Sequence, residues 1–167
     1  MIISQIETIR VAQFPDLIFV QVHTDTGLTG LGETWYAAAT VESAIHDHFG
    51  PLLVGRDPFE IERHWQTMFR LSDHAGYGGA ELRAISAIDV ALWDIKGQSL
   101  NMPIFEIIGG GTRNRIKVYN TLGVYGEIDE AHKVWSDPVE VARSLLDQGI
   151  TGMKMSPTDF IARESDG

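Results

Sequence analysis

The first third of the chain alternates between apolar and polar positions at short range. IISQIETIRV, residues 2–11, is rich in β-branched residues and predicts a strand. Phe14-Pro15-Asp16 predicts a turn. LIFVQVHT, residues 17–24, predicts a stronger strand, with Ile18, Val20 and Val22 on one face by the period of two. Asp25-Thr26-Gly27 predicts a hairpin turn in which Gly27 is free to take positive φ. LTGLGETWY, residues 28–36, returns as a third strand, completing an antiparallel meander.

The apolar period then lengthens to that of helices. Thr40 is expected to cap a helix over VESAIHDHF, ended by Gly50-Pro51. Asp57-Pro58 is expected to open a second, FEIERHWQTMFRL, with Pro58 at its first position. The glycine-rich break SDHAGYGGA follows, and then the longest helix, about 80–96. There Ile85, Ile88, Leu92 and Ile95 form one stripe beside Ala84, Ala87 and Ala91. Gly97 and Pro103 are expected to close this region.

Beyond residue 110 the pattern changes again. RIKVYNTL, residues 115–122, and TGMKMS, residues 151–156, predict strands. Between them DPVEVARSLLDQG predicts a helix with Asp137 as N-cap, Pro138 at N1, Glu140 at N3 and Gly149 past its end. This is a βαβ unit, whose two strands should run parallel. Two parallel strands cannot cover their own faces. After the meander and its helices, the second part reads as the opening of a larger α/β domain that is cut off.

Composition narrows the partners. Thirteen basic residues stand against 23 acidic ones, a formal net charge of -10, which repels phosphate backbones and argues against nucleic acid. No basic run or long apolar run points to a membrane. Cysteine is absent, which excludes disulfides and thiolate metal sites and fits a cytoplasmic protein. The N-terminus lacks the pattern of a signal peptide.

Few residues carry evident chemistry. Lys154 alternates with Met153 and Met155 and shares a face with Ser156. In a barrel that face is the interior, and a cation at a strand's C-terminal end can hold a carboxylate or stabilise developing negative charge. The opposing reading is a solvated lysine at a strand end. The long connection 123–136 offers Tyr125, His132 and Trp135 as ligand contacts, or as aromatics packing their own loop. His46 and His48 face different directions and form no metal pair, and His23 reads as structural. Asp89 reads as a polar anchor beside the packed stripe and Asp94 as exposed. Neither GYGG (76–79) nor GGG (109–111) has nucleotide-binding spacing.

GLTGLGET, AISAIDVALWDIKGQSLNMPIFEIIGG and GITGMKM, in that order, resemble the enolase superfamily, and within it the mandelate racemase/muconate lactonizing group. The resemblance runs over essentially the whole chain. It implies an α+β capping domain over residues 1–110, with a three-stranded meander and a helical bundle, followed over residues 111–167 by the first βαβ unit of a (β/α)7β TIM-like barrel, broken off after its second strand. It implies removal of a proton α to a carboxylate, with the enediolate stabilised on Mg2+. The metal ligands would lie on the third, fourth and fifth barrel strands, so none is expected here. Where the family often has Lys-x-Lys, this chain has Lys154-Met155-Ser156. Lys154 would support the substrate carboxylate, Ser156 would touch substrate, and the base would come from elsewhere, as in acid-sugar dehydratases that use a His–Asp pair. The short loop Gln13-Phe14-Pro15-Asp16 and the segment Trp35-Tyr36-Ala37-Ala38 would shape the substrate pocket, with Trp35 and Tyr36 as ligand contacts or as packing between domains. The implied protein is a homo-oligomeric sugar-acid dehydratase. A racemase or cycloisomerase is the alternative, and a non-catalytic binding module is the third.

Overall fold

The computed structural model describes residues 1–75, 78–125 and 128–155. The chain divides into two compact units, Met1–Gly111 and Thr112–Gly167.

The first unit opens with three antiparallel strands in sequential order: β1 (Ile3–Val11), β2 (Phe14–Thr24) and β3 (Thr29–Trp35). Ile18, Val20 and Val22 are fully buried on one face of β2, as the alternation requires. The first turn lies earlier than expected. Val11 pairs with Phe14, so Ala12 and Gln13 make the turn, and Phe14-Pro15-Asp16 belongs to β2. The next pair is Arg10 with Ile18, which leaves residues 15–17 bulged out of that ladder. Pro15 has no N–H to donate, and a bulge is where a strand can hold it.

The helices begin and end differently from their sequence signals. α1 (Ala38–Ser43) starts before Thr40, and Ala37 is its N-cap in a left-handed conformation. The chain then widens into a π-helical turn, Ala44–Phe49, and continues through Gly50-Pro51 as α2 (Gly50–Leu53). Pro51 does not stop the helix, because the wide turn relaxes the clash with the preceding carbonyls that a proline ring normally makes. Gly50 N–H bonds to the Ile45 carbonyl across this turn. α3 (Ile61–Ser72) starts three residues after Pro58. Asp57 Oδ1 instead accepts from Phe59 N–H at 2.9 Å, forming a side-chain turn that competes with helix.

α4 (Ala80–Leu100) outruns its expected end. Gly97 lies inside it, and Asn101, with φ of 49°, closes it. Its stripe of Ile85, Ile88, Leu92 and Ile95 is fully buried, each side chain contributing roughly 1.5–3 kcal/mol by leaving water. The glycines of GLTGLGET let α4 sit directly on β3. A Cβ on Gly30 would stand 2.0 Å from the Ala91 carbonyl oxygen, and one on Gly32 would stand 1.9 Å from that of Ala87. Only glycine opposite alanine lets the two backbones approach so closely. A short α5 (Ile104–Ile107) follows.

The second unit has the βαβ helix and less strand than expected. Residues 115–122 form no ladder. Asn120 makes a single parallel bridge with Met153. The segment 123–136 is not a plain loop. It holds a two-residue hairpin, β4 (Val124–Tyr125) with β5 (Ile128–Asp129), and then α6 (Glu130–Ser136). α7 (Pro138–Asp147) has the expected cap, with Asp137 Oδ1 accepting from Glu140 N–H at 2.9 Å. Val134, Val141 and Leu145 form a small core, with Leu122, Ile150 and Met153 packed against it. Parallel pairing needs neighbours on both sides to extend, and the described residues supply one bridge. No helix among them is long and apolar enough to cross a membrane.

Candidate functional site

Lys154 lies directly after the parallel bridge. Its N–H donates to the Asn120 carbonyl at 2.8 Å, and Asn120 N–H donates to the Gly152 carbonyl at 3.0 Å. These two bonds fix the backbone around Met153, whose side chain packs on the small core. Strand alternation puts Lys154 on the opposite face, where its side chain is exposed. Tyr119 presses on the same segment: a Cβ on Gly152 would stand 3.3 Å from Tyr119 Cβ. Ser156 lies outside the described residues.

Trp35 and Tyr36 are brought together at the end of β3. Their rings meet edge to face, 5.9 Å between centroids. Trp35 is half-buried, whereas Tyr36 is 58% exposed. The corner is built on the β2 bulge, because Tyr36 N–H donates to the Asp16 carbonyl at 3.0 Å. From α4, Arg83 Nη1 donates to the Trp35 carbonyl at 2.6 Å, and its guanidinium lies 5.4 Å from the centre of the Tyr36 ring. No sequence pattern marked Arg83. Its role depends on α4 crossing β3, which the glycine–alanine contacts establish.

The remaining candidates are held by local bonds. His132 Nδ1 and its backbone N–H both lie within hydrogen-bond reach of Asp129 Oδ1, at 2.7 and 3.2 Å, where Asp129 caps α6. Trp135 is half-exposed, and the Tyr125 side chain falls outside the described residues. His46 Nε2 meets Thr8 Oγ1 at 2.8 Å, and His23 bridges Thr29 and Glu7 on the sheet surface. Asp94 is not simply exposed. It accepts from Leu31 N–H at 2.8 Å, covering a donor on the open edge of β3. Asp89 lies in a groove with Ile61, Glu62, Trp65 and Trp93. Partial burial raises its pKa, and the neighbouring Glu62 raises it further.

Among the described residues no group of three or more histidine or acidic side chains could hold a metal ion. They do not supply a donor set for Mg2+.

The family model for the N-terminal domain of mandelate racemase/muconate lactonizing enzymes matches residues 5–109. The chain belongs to this family. The match takes in the meander, α1 to α5 and the Trp35–Tyr36 corner, and identifies the first unit as the family's capping domain. The chain is 40% identical over 162 residues to the D-galactonate dehydratase of Variovorax paradoxus, covering 96% of this chain and 39% of that protein. An enolase of the mandelate racemase subgroup from Agrobacterium tumefaciens superposes with a TM-score of 0.82 at 42% identity, covering all of this chain and 42% of its own. The 3,6-anhydro-D-galactonate cycloisomerase of Zobellia galactanivorans gives 0.79 at 36% identity, over 93% of this chain and 42% of its own. The chain thus spans about two fifths of the length of the relatives it matches.

Proposed function

We propose that this chain is the capping domain and first barrel segment of a sugar-acid dehydratase. The observation that carries this reading is the likeness to D-galactonate dehydratase over 96% of the chain, which takes in Lys154. In such a reaction a base removes the proton α to the carboxylate and leaves the electron pair as an enediolate. Expulsion of the β-hydroxyl with a proton, as water, gives an enol that tautomerises to a 2-oxo-3-deoxy acid.

In this reading Lys154 binds the substrate carboxylate. An ammonium there offsets negative charge that grows as the α-proton leaves, so it acts more strongly on the transition state than on the substrate. Ser156, in the place of a second lysine, supplies a hydroxyl contact and not the base, because an unassisted hydroxyl is a poor proton acceptor. Trp35 and Tyr36 are the first unit's candidate substrate contacts, because aromatic faces suit the C–H surfaces of a sugar chain. The base and the ligands for the Mg2+ that the family resemblance implies come from outside the described residues. The working enzyme is a cytoplasmic homo-oligomer acting on a small carboxylate.

Cycloisomerisation is the second reading, favoured by the structural likeness to the Zobellia enzyme. A panel of aldonates and aldarates, tested with Mg2+ on the intact enzyme that contains this chain, separates them. Formation of 2-oxo-3-deoxy acids is expected. Lys154→Met should lower kcat/KM by about a hundredfold or more, the scale of losing one charge-stabilising group. An isomeric product with no loss of water would establish the second reading instead.

A further inference from the structure

The corner after β3 takes a conformation its own residues do not favour. Tyr36 and Ala37 both have positive φ, 70° and 54°, a region costly for any residue with a Cβ. Two such residues in succession persist only when the surroundings over-determine them. Asp16 supplies one restraint through its carbonyl. Arg83 supplies the other, and it does so twice, at the Trp35 carbonyl and over the Tyr36 ring. Among the described residues Arg83 makes no ion pair with a carboxylate, although the chain carries 23 acidic residues. Its guanidinium is committed to a neutral carbonyl and an aromatic face.

That geometry suits arginine specifically. A guanidinium spreads its donors and its charge over several atoms, so one N–H can serve a carbonyl while the cation lies over a ring, which the compact ammonium of lysine matches less well. We propose that Arg83 is a positioning residue that sets the mutual orientation of Trp35 and Tyr36 and thereby determines substrate specificity. The part concerning specificity rests on the reading of these two aromatics as substrate contacts. Arg83 acts through them from the first turns of α4, and the strained corner gives it something to hold.

Near-ultraviolet circular dichroism of this chain tests the positioning without reference to activity. Edge-to-face aromatic pairs in fixed geometry contribute to that signal. Arg83→Ala should weaken it while leaving the far-ultraviolet spectrum unchanged, and the same substitution in a Trp35→Phe background should have little further effect. Arg83→Lys should recover the signal only partly, and it also decides the matter if the alanine variant does not fold. An unchanged near-ultraviolet spectrum, or an equal loss with and without Trp35, overturns the proposal. In the intact enzyme Arg83→Ala should raise KM for the preferred acid about tenfold with kcat within about twofold, the split expected when ground-state positioning is lost. A weakened spectrum with unaltered KM would overturn the role in specificity. Absence of dehydratase activity in the unsubstituted enzyme would overturn the proposed function and leave the spectroscopic result to stand for Arg83.

Discussion

Asp89 sits where its charge is disfavoured. Its carboxylate is partly removed from water, and Glu62 lies beside it. Both effects favour the protonated form in the folded chain. A folded pKa raised above the unfolded value near 3.8 means that the native state holds its proton more tightly. Stability is therefore lost as pH rises from about 3.8 through the raised value, and the cost is complete above it. Asp89→Asn should raise the midpoint of chemical unfolding at pH 7, and the gain should vanish below pH 3.8. Equal gains at pH 3 and pH 7 would show that charge is not the cause. Sequence placed Asp89 correctly beside the packed stripe, because helical spacing alone decides which side chains flank it. It misplaced Asp94, since the N–H it serves belongs to Leu31, 63 residues away in the chain. Arg83 was invisible for the same reason: its partners lie on another element.

At the scale of elements, the seam between α4 and β3 brings two backbones into close contact. Gly32→Ala would drive a methyl into the Ala87 carbonyl, and backbone cannot swing aside as a flexible side chain can. Thermal or urea unfolding should show a loss of about 3 kcal/mol or more, at the upper end for overpacking. A loss below about 1 kcal/mol would mean that the seam is looser than described. Elements whose signals are local were legible: the caps of α7, the Gly27 turn and the stripe of α4. Those that depend on their surroundings were not. Pro51 reads as a helix stop until a π-helical turn accommodates it. Pro58 reads as a helix start until the Asp57 side chain takes the next N–H. The strand expected over 115–122 lacks partners among the described residues and is reduced to the bridge at Asn120.

The chain consists of two units whose cores differ in size. The first has a continuous core from Ile3 to Ile95 and carries the family match over residues 5–109. The second closes a small core of its own but leaves Ile116 75% and Val118 63% exposed. The capping domain could be read from the sequence because glycine, alanine and apolar positions fall in a fixed order along it. Of a catalytic site the sequence offers one candidate group, Lys154, because one strand end does not define a reaction. The most direct measurement is proton NMR of the intact enzyme turning over a D-galactonate-like aldonate in D2O with Mg2+. The account predicts a 2-oxo-3-deoxy acid with deuterium entering at C3 as the enol is protonated, and no accumulation of the C2 epimer. Substrate returned with deuterium at C2 or inverted there, with no loss of water, would contradict it.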